Sequence, residues 1–297
     1  MRETLIIERI RQLAQDFTGD KTVIRGIGDD CAILRPRAHE DLVFTSDFVL
    51  EGRHFTLDTH KPADIGHKAL ARSLSDLAAM GAEPVFCLVS LAIPASLSGS
   101  TWITGFYKGL LALAKEYRVI LAGGDLARFE KVVVDVTCCG RVPRGTALLR
   151  SGAKPGDRIY VTGELGGSAH GFETRKGKHW KRHLRPEPRI AAGIALRKAG
   201  ISAAMDLSDG LSLDLARLCK ESRTGAEISS NRLPLASGAS IHHALHGGED
   251  YELLFTAPPK LKIRLPVTEI GVITKQHPGK ILLDGASLLS KGFDHFS

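Results

Sequence analysis

The period of the hydrophobic positions changes several times along the chain, and each change marks an element. From Glu3 to Phe17 the apolar residues Leu5, Ile6, Ile10, Leu13 and Phe17 fall on one side of a helix. Leu42 to Phe44 and Val85 to Ile93 are apolar, partly β-branched runs of strand length. Between them Pro62 suits a first helical turn and Gly81 suits the residue after a helix end, so the spacing predicts a helix over 63–80. Within it Leu70, Leu74 and Leu77 share a buried face, whereas Arg72 and Asp76 lie one turn apart on another. Asp76 is therefore free to point away from the core.

A helix from Thr101 to Tyr117 leads into the strand Val119 to Ala122, and Lys131 to Cys138 alternates Val with Asp and Thr in strand fashion. The segment Arg144 to Asp157 carries Gly145, Gly152, Pro155 and Gly156 and reads as a linker. It places a domain boundary near residue 148, giving domains 1–147 and 148–297. Beyond it come the strand Arg158 to Thr162, a helix from about Pro188 to Ala199, the strand Ala203 to Met205, a helix from Leu211 to Glu221, and strands at Glu252 to Phe255 and Val267 to Val272. Strands and helices alternate in both halves, which predicts layered α/β architecture with a parallel or mixed sheet.

Composition adds exclusions. The chain has 297 residues, 43% hydrophobic and 25% charged, the balance of a globular protein long enough for two domains. Arg2, Glu3, Glu8, Arg9 and Arg11 interrupt the N-terminal apolar positions, and no run of about 18 apolar residues occurs, so neither export nor a membrane span is expected and the cytoplasm is the expected location. The five cysteines form no CxxC pair and read as reduced thiols, mostly buried. A formal charge of +7 draws anions, of which nucleotides and phosphate esters are as eligible as nucleic acid.

The candidate chemistry lies in aspartates placed where apolar segments give way to turns. They are Asp29 and Asp30 in Gly-Ile-Gly-Asp-Asp, Asp47 in Thr-Ser-Asp, Asp125 in Ala-Gly-Gly-Asp, and Asp206 with Asp209 in Asp-Leu-Ser-Asp-Gly, with Asp76 on its helix. Each alone is first of all a turn former or helix cap. As a set in a positively charged protein they repel one another unless cations lie between them, and such hard oxygen ligands suit magnesium or manganese bridging to phosphates. Phosphoryl transfer asks for little else beyond phosphate contacts. Backbone amides for that purpose are available in Gly123-Gly124 and in Gly163-Glu164-Leu165-Gly166-Gly167-Ser168, although glycine runs more often make ordinary turns.

Sharper signatures are absent: there is no GxxxxGK[ST], HExxH or GxSxG, and the twelve histidines show no recurrent metal spacing. His54 could contact substrate, yet a lone histidine is more often structural. The basic stretch Arg175 to Arg185 has Trp180 as its only aromatic, so it lacks a stacking platform for nucleic acid and reads as a solvated loop or a lid near anions.

At this point the motifs resemble those of the thiamine-monophosphate kinase family. Gly-Ile-Gly-Asp-Asp-Cys-Ala (26–32), Thr-Ser-Asp (45–47), Gly-Arg-His-Phe (52–55) and Ser-Asp-Leu-Ala-Ala-Met-Gly-Ala (75–82) match its N-terminal half. Gly-Gly-Asp (123–125), Arg-Ser-Gly-Ala-Lys-Pro-Gly-Asp (150–157), Asp-Leu-Ser-Asp-Gly (206–210), Gly-Gly-Glu-Asp-Tyr-Glu-Leu (247–253) and Asp-His-Phe (294–296) continue it in order. The resemblance implies two α/β domains like those of aminoimidazole ribonucleotide synthetase, with the N-terminal sheet forming a homodimer. It implies transfer of a phosphoryl group from ATP to thiamine monophosphate by direct in-line attack, with no phosphoenzyme and no covalent nucleophile.

By the same resemblance Asp30, Thr45, Ser46, Asp47, Asp76, Asp125, Asp206 and Asp209 hold several Mg2+ ions. Tyr107, Gly124, Asp125, Arg150 and Ser208 contact ATP, and His54, Glu249 and Phe293 meet the thiamine phosphate, with Phe293 offering a ring surface. Two departures stand out: the chain is short around Gly171 to His183 and near its end, and His246 replaces a small residue before Gly-Gly-Glu-Asp. The rival readings are another ATP-using relative of aminoimidazole ribonucleotide synthetase, a non-catalytic nucleotide- or cation-binding protein, and a nucleic-acid binder with steep salt dependence. No cysteine precedes Cys31, against selenophosphate synthetase, and the chain ends in Asp-His-Phe-Ser rather than the cysteine tail of the hydrogenase maturation relative.

Overall fold

A computed structural model describes residues 3–14, 22–25, 33–99 and 101–293. The chain divides into two compact units, residues 1–77 with 83–145 and residues 78–82 with 146–297. Asp29, Asp30, Cys31 and the Asp-His-Phe motif at 294–296 lie outside the described residues.

The first unit contains α1 (Glu3–Ala14), β1 (Val23–Arg25), β2 (Ile33–Leu34), β3 (Glu40–Leu50), α2 (Pro62–Ala79), β4 (Glu83–Ile93), α3 (Ala95–Ser98), α4 (Trp102–Tyr117), β5 (Ile120–Arg128) and β6 (Val133–Pro143). The four long strands form one sheet in the order β3-β6-β4-β5, antiparallel except for the parallel pair β4 and β5, and β1 pairs with β2. Leu70, Leu74 and Leu77 of α2 are fully or almost fully buried, as their spacing predicts, and truncating one to alanine costs about 2–5 kcal/mol. Helices α2 and α4 cross closely because each offers a glycine to the other's backbone. A Cβ on Gly66 would fall 2.0 Å from the Phe106 carbonyl oxygen, and one on Gly109 would fall 1.9 Å from that of Ala63.

Strand β3 runs well past the predicted Leu42 to Phe44. It pairs with β6 without interruption from Glu40 to Leu50, so Thr45, Ser46 and Asp47 lie within a strand rather than at its end. Asp125 likewise lies inside β5, in register with Ser90 of β4. Ladder pairing with a long neighbour carries these strands through polar residues that an apolar pattern reads as their ends.

The second unit contains β7 (Arg158–Thr162), α5 (Gly167–Thr174), α6 (Gly177–Leu184), α7 (Ile190–Ala199), β8 (Ala203–Asp206), α8 (Leu211–Glu221), β9 (Gly225–Ile228), a 3-10 turn (Ser230–Arg232), α9 (Ile241–His246), β10 (Leu253–Ala257), β11 (Val267–Thr274), β12 (Ile281–Leu283) and β13 (Ala286–Leu288). Its sheet has the order β13-β12-β9-β11-β7-β10-β8 and is antiparallel apart from β12 beside β9. Leu211, Leu215 and Leu218 of α8 pack with Ile159, Val161, Leu254 and Ile273 into the core of this unit. The basic stretch, read as a solvated loop or a lid near anions, forms the helix α6 rather than a loop, and His179 and His183 give it a buried side. The four described cysteines, Cys87, Cys138, Cys139 and Cys219, are free and buried. Among the described residues no helix is long and apolar enough to cross a membrane.

Candidate active site

In the first unit the period-2 alternation of β3 sorts the Thr-Ser-Asp motif onto two faces. Thr45 and Asp47 face α2: the Thr45 hydroxyl donates to the Asp76 carboxylate, and Arg72 Nη2 lies 3.9 Å from Asp47 Oδ1. The one-turn spacing of Arg72 and Asp76 thus aims both at β3. Among the described residues, Asp47 Oδ2 is buried with no hydrogen-bond partner. A buried carboxylate oxygen in that state is costly, and a bound metal cation would relieve it. The Ser46 hydroxyl points to the opposite face and donates to Asp135 Oδ1 at 2.7 Å. On the side of Asp47, Ser46 therefore has only backbone to offer a metal.

Register puts Asp125 on the Ser46 face too, since Ser90 lies opposite both Asp125 and Asp135. Gly124 is needed where it stands: a Cβ there would fall 1.9 Å from the Val89 carbonyl oxygen of β4. Tyr107 is buried at 2% exposure against Phe106, and burial, reinforced by Cys87, raises its phenol. His54 is also buried. Its Nδ1 accepts from the Leu50 amide at 3.0 Å, so the ring proton sits on Nε2, and its carbonyl accepts from Lys68 Nζ at 3.2 Å. Lys68 is fully buried on α2, a position sequence reasoning passed over because lysine is rarely interior.

In the second unit β8 ends at Asp206, and the loop that follows is tied to residues 249–252. The Leu207 amide donates to the Glu252 carbonyl at 2.8 Å, the Tyr251 amide to that of Leu207 at 2.9 Å, and the Glu249 amide to that of Ser208 at 2.8 Å. Asp214, in the first turn of α8, then fixes the loop. Its Oδ2 accepts the amides of Ser208, Asp209 and Gly210 at 3.1, 3.0 and 3.2 Å. Arg217 bridges Asp214 Oδ1, at 2.9 Å, and the Asp209 carboxylate. Burial first, and then the charge of Asp209, push Asp214 up to about 6. Sequence reasoning missed Asp214 and Arg217. The available signal was an acid one turn into a helix that follows a candidate ligand loop.

Two amides of the glycine-rich loop are taken by a carboxylate of the chain itself. Asp250 Oδ2 accepts from the Gly166 amide at 2.6 Å, and Oδ1 from the Ser168 amide at 3.0 Å. Glu249 and Tyr251, on either side of Asp250, both adopt left-handed backbone with φ of 65° and 51°, strain that the pairing just described sustains. Glu249 Oε2 lies 3.4 Å from His183 Nδ1. Beneath them Glu252, fully buried, accepts from Thr162, Arg182 and Arg189. Arg150 is exposed, and its carbonyl accepts from Ser222 at 2.9 Å. The Phe293 amide donates to the Asp209 carbonyl at 3.2 Å. Within either unit, no three described His, Cys, Asp or Glu side chains already surround a point where a metal could sit.

Two units of this topology, each bringing carboxylates to the ends or faces of its strands, define a class. The N-terminal domain family of AIR synthase related proteins matches residues 28–142, and the C-terminal domain family matches residues 154–283. Within that class the chain belongs to the thiamine-monophosphate kinase family. It is 41% identical to the thiamine-monophosphate kinase of Escherichia coli over 92% of each chain, and 38% identical to that of Bacillus subtilis over 91% of this chain and 93% of the other. The crystal structure of the Stenotrophomonas maltophilia thiamine-monophosphate kinase superposes with a TM-score of 0.85 at 36% identity, covering 97% of this chain and 98% of that one. AaThiL, complexed with AMPPCP and TMP, superposes with a TM-score of 0.81 at 33% identity, covering 100% and 99%. The hydrogenase maturation protein HypE, at 16% identity and a TM-score of 0.77, shares the fold alone.

Proposed function

We propose that the chain transfers the terminal phosphoryl group of ATP to thiamine monophosphate, giving thiamine diphosphate, with Mg2+ bound to its aspartates. The observation that carries the reading is the buried, unpartnered Oδ2 of Asp47 beside the Thr45–Asp76 pair, an oxygen donor set of the hardness magnesium prefers. The likeness to AaThiL bound to AMPPCP and TMP supplies the two substrates.

Magnesium bound there would neutralise nucleotide phosphates and favour an in-line geometry. Several such ions are expected: in the first unit Thr45, Asp47 and Asp76, with Ser46 through its backbone, would ligate on one face of the sheet and Asp125 on the other, Asp30 would add a further ligand, and in the second unit Asp206 and Asp209 would ligate. Gly124, Asp125, Arg150 and Ser208 bind the nucleotide, Arg150 through a fixed positive charge, and Tyr107 lines its position from within the core. His54, Glu249 and Phe293 receive the thiamine phosphate, whose own phosphate oxygen attacks directly. Residues 1–147 and 148–297 act as the two domains.

The protein works in the cytoplasm as a homodimer, without nucleic acid or membrane as a partner. Phe44 and Phe48 stand 60% and 58% exposed on the outer face of the four-stranded sheet, apolar area that a second copy covers. Light scattering of the wild type and of Phe48→Glu checks this, with a dimer expected only for the former. The decisive assay incubates the protein with ATP, Mg2+ and thiamine monophosphate and looks for thiamine diphosphate. Turnover of a different phosphate ester with none of thiamine monophosphate would overturn the substrate and leave the chemistry standing.

A further inference from the structure

His246 is the residue that departs from the family pattern, and the structure gives it work to do. It closes α9 and turns its ring toward the start of α8, where Ser212 is fully buried. The Ser212 hydroxyl donates to the Lys291 carbonyl at 2.6 Å and accepts from the Lys291 amide at 3.1 Å, so one side chain satisfies both backbone groups of that residue. His246 Nδ1 lies 2.9 Å from the same hydroxyl and 3.2 Å from the same carbonyl.

The hydroxyl proton is committed to Lys291, so Nδ1 must carry a hydrogen and donate to both oxygens. The tautomer follows from the bonding. Burial foremost holds this imidazole below the ordinary histidine value, in keeping with a neutral ring. Two residues further on, the Phe293 amide bonds the Asp209 carbonyl, and a Cβ on Gly292 would come within 2.5 Å of that same oxygen. The segment 291–293 thus lies directly on the Asp-Leu-Ser-Asp-Gly loop, although the Lys291 side chain is exposed.

We propose that His246 and Ser212 form a clasp that seats segment 291–293 on the Asp209 loop, and that the clasp sets affinity for the thiamine phosphate by positioning Phe293. His246 is a positioning residue and touches no reacting atom. The second half of the proposal rests on the reading of Phe293 as a substrate contact. The first half rests on the bonding alone.

The test has two arms. Trypsin cuts after Lys291 only when the backbone there leaves Ser212, and mass spectrometry reads release of the peptide 292–297. In His246→Ala and in Ser212→Ala that release speeds up about tenfold, the factor that one lost hydrogen bond between buried partners supplies. His246→Asn, whose amide nitrogen can take the place of Nδ1, restores slow release. In the kinetic arm His246→Ala raises KM for thiamine monophosphate by about the same factor, while kcat at saturation and KM for ATP stay unchanged.

Unchanged release in both alanine variants, with thermal unfolding like the wild type, overturns the clasp. Faster release with an unchanged KM overturns its role in substrate affinity. If the wild type itself makes no thiamine diphosphate, the kinase reading fails, and the trypsin arm still decides on the clasp.

Discussion

The two acidic clusters are built on opposite principles. In the first unit Thr45, Asp47 and Asp76 stand on a strand and a long helix locked by core leucines, and among the described residues nothing bonds one buried oxygen of Asp47. In the second, Asp209 stands on a loop whose amides are gathered by Asp214 and whose own carboxylate is already held by Arg217. In the first cluster the Arg72 guanidinium stands 3.9 Å from Asp47 Oδ1, outside hydrogen-bond distance, whereas in the second Arg217 bonds the Asp209 carboxylate directly. A metal cation at the first cluster therefore meets a carboxylate that its guanidinium approaches without bonding, whereas at the second it must displace a bonded guanidinium.

The largest effects test that contrast. Asp47→Asn and Asp209→Asn should each lower turnover on the order of a thousandfold, since each removes a carboxylate proposed to hold the Mg2+ that neutralises the phosphates. Stability without metal should split them. Asp47→Asn removes a carboxylate with one desolvated oxygen at the expense of a 3.9 Å ion pair with Arg72 and should shift unfolding by less than about 1 kcal/mol, whereas Asp209→Asn breaks a hydrogen-bonded pair with Arg217 and should unfold lower. Calorimetry in chelator measures both. Equal shifts of the same sign would erase the distinction between the clusters.

Asp214→Ala should come next. It orphans three loop amides and part of Arg217, a loss of about 2–4 kcal/mol in denaturant unfolding, together with a higher Mg2+ requirement in the kinase assay. The metal requirement is the sharper readout, because destabilisation alone would leave it unchanged. Asp214→Asn keeps an acceptor for the amides and should recover most of the stability.

Acid separates the carboxylates of the second unit further. Burial pushes Asp250 up to about 6 against an ordinary 3.8. The fold therefore binds this proton more tightly than the unfolded chain does, so the group costs stability above pH 6 and the cost fades as pH drops toward 4. Glu252 has the opposite sign: burial raises it, but the Arg189 hydrogen bond and the charges of Arg182 and Arg189 outweigh burial and hold it below its ordinary value. Its contribution is lost as pH falls. Melting curves of Asp250→Asn between pH 7 and 4 should consequently decline more steeply on acidification than those of the wild type, by on the order of 2–3 kcal/mol across the range.

What was legible in the sequence follows the same physics. Helix 211–221 and the helix near 63–80 announce themselves through leucines at helical spacing, and both form, the second as Pro62–Ala79. Helices α5, α6 and α9 do not, because the buried side of α6 is made of histidines, and α5 and α9 are short and rich in glycine or histidine. The candidate ligands were visible as aspartates beside glycine or serine, yet the groups that hold them in place were not. Lys68, Asp214 and Asp250 look like surface residues until the fold buries them, and Arg217 looks like one until Asp209 and Asp214 hold it. The glycine-rich run at 163–168 misled for a related reason: its amides are available on paper, and Asp250, more than 80 residues away in sequence, takes two of them.

The smallest expected effect bears on the one motif that resemblance treats as a block. Thr45, Ser46 and Asp47 are neighbours in sequence, but a strand sends alternate side chains to opposite faces, and the Ser46 hydroxyl bonds Asp135 rather than anything near Asp76. Thr45→Val should therefore lower turnover by about tenfold through loss of the hydroxyl that bonds Asp76, while Ser46→Ala should stay within about twofold of the wild type, its backbone carbonyl being untouched. Both variants keep the β3–β6 ladder, so thermal unfolding should change little in either. If Ser46→Ala proved as damaging as Thr45→Val at saturating Mg2+, the sorting of this motif by strand face would be wrong. The Ser46 side chain would then act on the same side of the sheet as Asp47.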